Sequence, residues 1–473
     1  MVKSSLITGA LAVAALSLAA CGPARLTADQ TCQAAVYRLA DGRLLDIAPA
    51  DGPDLRWRLN DGRTGRLSAK AHWSSTLGWT DTPDGVSVRL SACGARRMIF
   101  TDKGAAPVAG LRVPLIAREA TFLGSGGVRL HGRLVLPPGA AKIPVVVEVH
   151  GSEKDAATVY NFLQRLYPAQ GVGVFVYDKR GTGESGGKYT QDFQVLARDA
   201  AAAVVEARAL AGGRLARIGF QGTSQGGWVA PLAATLTPVD FVIVDFGLAG
   251  SVAEENTDET VLEVARKGYR GDDLEGVAET ARATNAIVAS RFRGGYAQLD
   301  AARAKYRTRP WFRGLNGQFT GQVLKYPDWV LKVVGPAFDM GTPIYYDPRA
   351  VLAKVPAPML WVLADDDTLA PNAETRRRLA WLIANGRPIT VLGFPATDHG
   401  ILEFITAPDG TRTETRYADG YFQTMIDWAK TGRLQPPYGR SEVVSVPRAA
   451  SLASTLPRPL ASAVTTPRRV RTS

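Results

Sequence analysis

Ala216-Arg217-Ile218-Gly219-Phe220-Gln221-Gly222-Thr223-Ser224-Gln225-Gly226-Gly227-Trp228 is the stretch on which the reading of this 473-residue chain turns. Its first five residues have strand character, and residues 228–236 are compatible with a helix, so Gly222 to Gly226 lies at a strand–turn–helix junction. The GxSxG pentad alone is a weak signal, since this composition yields about 0.2 matches by chance. The junction is what gives it weight. A tight turn there lifts the Ser224 hydroxyl above the carboxyl edge of a sheet, where α/β proteins bind ligands.

Outward from this point, apolar runs recur at 143–149, 172–177, 216–220, 241–245, 358–364 and 389–394, with helical stretches between several of them, notably 192–211. Buried strands alternating with helices predict a parallel sheet covered on both faces. Residues 121–136 read as a hairpin turning at Gly124-Ser125-Gly126-Gly127. Residues 250–344 interrupt the alternation with helical segments carrying Tyr269, Tyr296, Tyr306, Trp311, Phe312, Tyr326 and Trp329, and an insertion of that length reads as a cap. Upstream the pattern is short and alternating. Leu55, Trp57 and Leu59 share a face ahead of an Asn60-Asp61-Gly62 turn, and Asp84-Gly85 precedes Val86, Val88 and Leu90, which predicts a small β-rich domain.

A serine hydroxyl at neutral pH needs a base, and the base needs an orienting group. His399 stands in Thr397-Asp398-His399-Gly400 just after the last apolar run, and Asp367 in Asp365-Asp366-Asp367-Thr368 just after the run ending at Ala364. Asp365, Asp366 and Asp398 are close rivals for the acid. His150-Gly151-Ser152 follows the run at 143–149, and Tyr177-Asp178-Lys179-Arg180-Gly181-Thr182-Gly183-Glu184-Ser185 follows the next one.

In combination these motifs resemble the α/β-hydrolase superfamily, and within it the bacterial serine esterase and S9/S33-peptidase-like branch, over residues 118–430. The resemblance implies a mostly parallel sheet flanked by helices, an inserted helical cap and an N-terminal β-rich domain. It implies Ser224 as nucleophile, His399 as base and Asp367 as acid, favoured over its neighbours by its spacing from the strand end and by Pro371 four residues on. It also implies an oxyanion hole from the backbone N–H groups of Ser152 and Gln225. The branch often carries Gly-Pro and an Asp-rich segment after His-Gly-Ser. This chain has Glu153-Lys154-Asp155, a departure that bears on the acyl pocket and not on the backbone of Ser152. His150 is expected to brace its own loop, and Asp178 and Arg180 to form a structural ion pair at their turn. His72 and His131 are expected to be structural or surface residues, and the cap aromatics to be packing, with a few lining the acyl site.

Composition narrows the alternatives. With 46% hydrophobic and 21% charged residues the chain is neither disordered nor collagenous, and it has no run of 18 apolar residues to suggest a polytopic membrane protein. Three cysteines and four histidines, none in CxxC or HxxxH spacing, predict no metal and no cofactor. The net charge of +12 invites a nucleic-acid partner, but seven arginines and one glutamate in residues 433–473 supply half of it, so none is expected. That basic segment reads as a flexible tail.

At the other end Lys3 precedes an apolar stretch at 6–20, and Leu18-Ala19-Ala20-Cys21 resembles the lipobox of bacterial lipoproteins. The resemblance implies a signal peptide at 1–20 and a lipid anchor on Cys21. It places the protein outside the cytoplasm on the cell envelope, with Gly22 resembling the pattern of outer-membrane lipoproteins. In an oxidising compartment Cys32 and Cys93 become a disulfide candidate worth about 4 kcal/mol, against the alternative of two buried thiols. The domain organisation expected is 21–115 for the β-rich domain, 116–249 and 345–432 for the two parts of the hydrolase core, 250–344 for the cap and 433–473 for the tail. The function expected is hydrolysis of a small-molecule ester. A serine peptidase or other acyl hydrolase or transferase is the alternative, and a non-catalytic binding scaffold a more distant one.

Overall fold

The computed structural model describes residues 26–71 and 73–445. The expected signal peptide, Cys21, His72 and the chain from 446 onward lie outside the described residues.

The N-terminal domain is a closed barrel of eight antiparallel strands: β1 (Ala35–Leu39), β2 (Leu44–Pro49), β3 (Leu55–Leu59), β4 (Thr64–Ser68), β5 (Ser74–Leu77), β6 (Pro83–Leu90), β7 (Arg97–Thr101) and β8 (Val108–Arg112). Strand alternation sends Leu55, Trp57 and Leu59 into a core shared with Tyr37, Ile47 and Phe100. Trp57 meets Phe100 edge-on at 5.5 Å and donates from Nε1 to Ser75 Oγ at 2.7 Å. The expected β-rich domain is therefore closed by β1–β8 pairing, which removes the open edges that a meander would leave. A Cys32–Cys93 disulfide, with a Cα separation of 5.6 Å, ties the short helix Ala28–Gln33 to this barrel.

The second unit is built on β9 (Ile116–Leu123), β10 (Arg129–Leu136), β11 (Ile143–Val149), β12 (Gly173–Tyr177), β13 (Leu215–Thr223), β14 (Phe241–Asp245), β15 (Met359–Ala364) and β16 (Ile389–Phe394). A small antiparallel sheet follows, β17 (Thr397–Asp398), β18 (Leu402–Thr406) and β19 (Arg412–Tyr417), and then β20 (Glu442–Ser445). The large sheet runs in the order β20-β16-β15-β14-β13-β11-β12-β10-β9. Strands β11 to β16 are mutually parallel; β10 and the edge strand β20 run antiparallel to them, and β9, antiparallel to β10 in the hairpin, returns to their direction. The central strands are apolar on both faces because helices cover both. Phe193, Phe220, Trp228 and Trp361 pack on one side, and Val146, Ile243, Leu360 and Met425 on the other. The long helix Phe193–Ala211 starts at Asp192, whose carboxylate accepts from the N–H groups of Gln194 and Val195.

The chain does not leave the fold at residue 433. Tyr438 is buried and donates to Asp427 Oδ2 at 2.8 Å, and β20 then pairs with β16, so the tail expected from that point does not begin there.

The barrel packs on the face opposite the long helix, where Val36 and Leu44 join the second core cluster. Asp46, fully buried, accepts from Arg165 Nε at 2.6 Å and Nη2 at 3.1 Å. The Tyr417 N–H donates to the Gly62 carbonyl at 3.0 Å, linking the barrel to β19. Gly62 has φ +94°, and a Cβ there would lie 2.3 Å from the Tyr417 oxygen, so the Asn60-Asp61-Gly62 turn both reverses the strand and seats the second unit.

The insertion is helical, with Val252–Arg266, Asp272–Ala289, Tyr296–Tyr306, Thr320–Lys325 and Asp328–Val334 around a separate core that includes Ile287, Leu299 and Trp311. Within it Asn256 donates to Asn285 Oδ1 at 2.8 Å and to Thr320 Oγ1 at 2.9 Å, satisfying polar groups that would otherwise be costly to bury. Of its aromatics, Tyr296, Tyr306 and Trp311 are core, Tyr326 lines a cavity and Trp329 is exposed. Among the described residues no helix is long and apolar enough to cross a membrane.

Candidate active site

Strand β13 ends at Thr223 and the helix Gly226–Ala234 begins three residues later, which leaves Ser224 at φ +51°, a left-handed conformation costly for a residue with a side chain. Two glycines make the turn possible. A Cβ on Gly222 would lie 2.2 Å from the Gly226 carbonyl oxygen, and one on Gly226 would lie 1.8 Å from that of Val149. The Ser224 N–H is tied to the Asp245 carbonyl at 3.1 Å.

His399 follows β17, and its Nε2 lies 3.1 Å from Ser224 Oγ. Its Nδ1 lies 2.9 Å and 3.2 Å from the two oxygens of Asp367, and Phe246 packs edge-on against the imidazole at 4.9 Å. The Asp367 carboxylate is buried and also accepts from the N–H groups of Leu369 at 3.1 Å and Ala370 at 2.8 Å. Ser224, His399 and Asp367 thus form one hydrogen-bonded chain across separations of 143 and 32 residues. Two of the rival carboxylates are engaged elsewhere. Asp365 pairs with Arg376, and Asp398 accepts from Arg412, from Thr368 and from the His399 N–H. Burial pushes the His399 pKa down, but the Asp367 carboxylate, with Asp398 nearby, outweighs it and holds the value above 6.5.

The loop after β11 lies over the serine: a Cβ on Gly151 would be 3.4 Å from Ser224 Cβ. Among the described residues neither the Ser152 N–H nor the Gln225 N–H has a hydrogen-bond partner. His150 is buried, with Nδ1 3.1 Å from Glu153 Oε1, so it braces its own loop. Arg180 and Asp178 do not pair with each other. Arg180 is bidentate to Asp199 on the long helix at 2.6 and 2.7 Å, and Asp178 accepts from Thr158 and from the Glu184 N–H, because the turn between them sends the two side chains apart. His131, on β10, sits 3.2 Å from Glu119 and 3.6 Å from Asp178.

Ser224 and His399 open into a cavity of about 1190 Å³ between core and cap. Phe193, Trp228, Phe292, Phe319, Leu331 and Phe338 contribute its apolar lining. Two acids stand out in this setting. Burial raises Glu255, on the first cap helix and in the cavity wall, to about 8, and Glu259, one turn along, to about 7. Neither was legible as a site residue, since each reads as an ordinary charge on an amphipathic helix. Lys179 belongs to the motif at 177–185, whose sequence assigns it no task. It is buried against the serine loop. Among the described residues no group of three His, Cys, Asp or Glu is placed to hold a metal ion.

Residues 140–248 match the family model described as serine aminopeptidase, S33. The match spans β11 to β14, the loop at Gly151 and the turn at Ser224, and the sheet order around it places these at the carboxyl ends of parallel strands. The chain carries an α/β-hydrolase fold. The chain shares 15% identity with an esterase from Pyrococcus furiosus, over 60% of this chain and 82% of that one, with a TM-score of 0.38. A puromycin-hydrolyzing peptidase from Mycobacterium tuberculosis is 18% identical over 77% of this chain and 50% of that one, with a TM-score of 0.37. Brefeldin A esterase, described as a bacterial homologue of human hormone sensitive lipase, is 17% identical over 61% and 70%, with a TM-score of 0.36. No curated protein matches the chain in sequence.

Proposed function

We propose that this α/β-hydrolase cleaves carboxylic esters with an apolar acyl group through an acyl-enzyme on Ser224. The observation that carries the reading is the hydrogen-bonded chain from Asp367 through His399 to Ser224 at the floor of an apolar cavity. His399 Nε2 takes the Ser224 proton as Oγ attacks the ester carbonyl, and Asp367 holds the Nδ1–H tautomer and stabilises the imidazolium. The N–H groups of Ser152 and Gln225 receive the developing oxyanion, each donor contributing about 3 kcal/mol to lowering the barrier. His399 then protonates the leaving alcohol, and water repeats the cycle to release the acid.

The test is turnover of p-nitrophenyl esters of increasing chain length beside Ser224→Ala. The expected result is ester hydrolysis that the substitution abolishes without unfolding the protein. Activity of Ser224→Ala near wild type overturns the assignment.

A second reading, a peptidase acting on a residue with a free amino group, draws support from Glu255 and Glu259. A cationic substrate entering beside these acids would draw them into their ionised forms. Turnover of aminoacyl anilides in place of esters moves the protein to that class.

The same reading puts the protein on the bacterial envelope, anchored through Cys21, as an extracytoplasmic lipoprotein. Its support is the Leu18-Ala19-Ala20-Cys21 sequence, together with a disulfide of the kind that persists in oxidising compartments. Cys21→Ala should move the protein out of the membrane fraction, and unchanged fractionation counts against the anchor.

A further inference from the structure

Lys179 stands two residues after β12 and is buried beneath the loop that covers Ser224. Its Nζ donates to two acceptors, the Gly151 carbonyl oxygen and Gln225 Oε1, the latter at 3.2 Å. Neither acceptor is incidental to the site. The Gly151 carbonyl and the Ser152 N–H are the two ends of one planar trans peptide unit and point in opposite directions. Holding the oxygen therefore sets where the N–H points. Gln225 presents its side chain to the same ammonium and carries the other free N–H in its backbone. On the far side of Ser152, the Tyr189 hydroxyl donates to the Ser152 carbonyl at 2.5 Å, so both peptide units flanking that residue are held.

We infer that Lys179 is the positioning residue of the oxyanion site, a buried ammonium that aims the Ser152 N–H at the place where negative charge develops and steadies the Gln225 side chain beside the second donor, whose own peptide unit is held by the Gly227 N–H on the Ser224 carbonyl at 2.8 Å. The inference rests on the ester-hydrolase reading above and deepens it. The ammonium touches no substrate. It acts by orientation and by polarisation, since a cation on the carbonyl oxygen draws electron density through the peptide unit and makes the Ser152 N–H a stronger donor. Desolvation lowers the Lys179 pKa to about 8, partly opposed by the nearby Glu153 carboxylate, so the side chain remains mainly charged at pH 7. A methionine could fill the same volume without that desolvation cost, but it could hold neither acceptor.

The experiment compares wild type, Lys179→Met and Ser224→Ala on p-nitrophenyl butyrate, with the affinity of an aryl trifluoromethyl ketone measured alongside. The tetrahedral adduct of that ketone requires the oxyanion donors and the ester ground state does not. Lys179→Met should lower kcat by about tenfold to a hundredfold, a loss approaching that of one oxyanion donor. KM should stay within about twofold, and ketone affinity should fall in parallel with kcat/KM. Where Lys179→Met does not fold, Lys179→Leu, which likewise offers no donor, is read in the same way. A variant with wild-type kcat, or one that loses kcat while ketone affinity is unchanged, overturns the inference while leaving the hydrolase reading intact. A wild-type protein with no ester turnover that depends on Ser224 overturns both.

Discussion

Arg412 Nη1 lies 2.7 Å from Asp398 Oδ2, and this ion pair settles which carboxylate is free to serve His399. Asp398 is the nearer neighbour in sequence, yet its oxygens are occupied by Arg412, Thr368 and the His399 backbone N–H. Asp367, 32 residues away, takes the ring nitrogen. The two carboxylates should therefore separate on substitution. Asp367→Asn leaves the imidazole in the wrong tautomer and should lower kcat by about 10⁴. Asp398→Asn, which touches only the loop, should cost about tenfold. Steady-state kinetics of the two variants checks this, and equal losses would contradict the assignment.

The pH dependence follows from the charge around His399. The base must be neutral to accept the serine proton, and its pKa is held above 6.5 by the neighbouring carboxylates, Asp367 foremost, which outweigh burial. kcat/KM should therefore fall as the pH drops through a midpoint above 6.5. Asp398→Asn removes one of the anions that favour the imidazolium, so the midpoint should move down. A pH–rate profile on wild type and Asp398→Asn measures the shift, and an unmoved acid limb would mean that Asp398 does not act on the imidazole.

Backbone proximity at the turn predicts a sharp contrast between glycines. A Cβ on Gly226 would lie 1.8 Å from the Val149 oxygen, whereas one on Gly213 meets nothing within 4 Å. Gly226→Ala should cost about 3 kcal/mol or more as the helix is forced away from β11, and Gly213→Ala should be neutral within about 0.5 kcal/mol. Thermal unfolding of the two variants distinguishes them.

The joint between barrel and hydrolase core can be tested at Asp46. Its carboxylate is wholly buried beneath Arg165, which is itself largely buried. Asp46→Ala leaves that guanidinium without its counter-ion and should destabilise the protein by about 3 kcal/mol, read by denaturant unfolding. A change near zero would mean that Arg165 finds water on losing its partner.

What could be read along the chain was whatever is written locally. The apolar runs, the Gly-x-Ser-x-Gly turn, an aspartate cluster and a histidine each just past a strand end, and the helical texture of the insertion each depend on neighbours within a few residues. The same holds for Asn60-Asp61-Gly62, whose turn is local even though its contact with Tyr417 is not. Asp178 and Arg180 mark the limit. Their motif was conspicuous, but their partners Thr158 and Asp199 come from other elements, and no local pattern points to them.

Sequence by itself determined the alternation of strands and helices and the reactive serine at a strand end, because hydrophobic periodicity and steric demand at a turn are short-range properties. Only the tertiary structure decided which aspartate meets His399, that the N-terminal strands close into a barrel, that Glu255 of the cap lines the same cavity as His399, and that Lys179 reaches the Gly151 carbonyl. Those outcomes rest on electrostatics and hydrogen bonds between residues far apart in the chain. Such interactions acquire their strength only when packing has excluded water from around them.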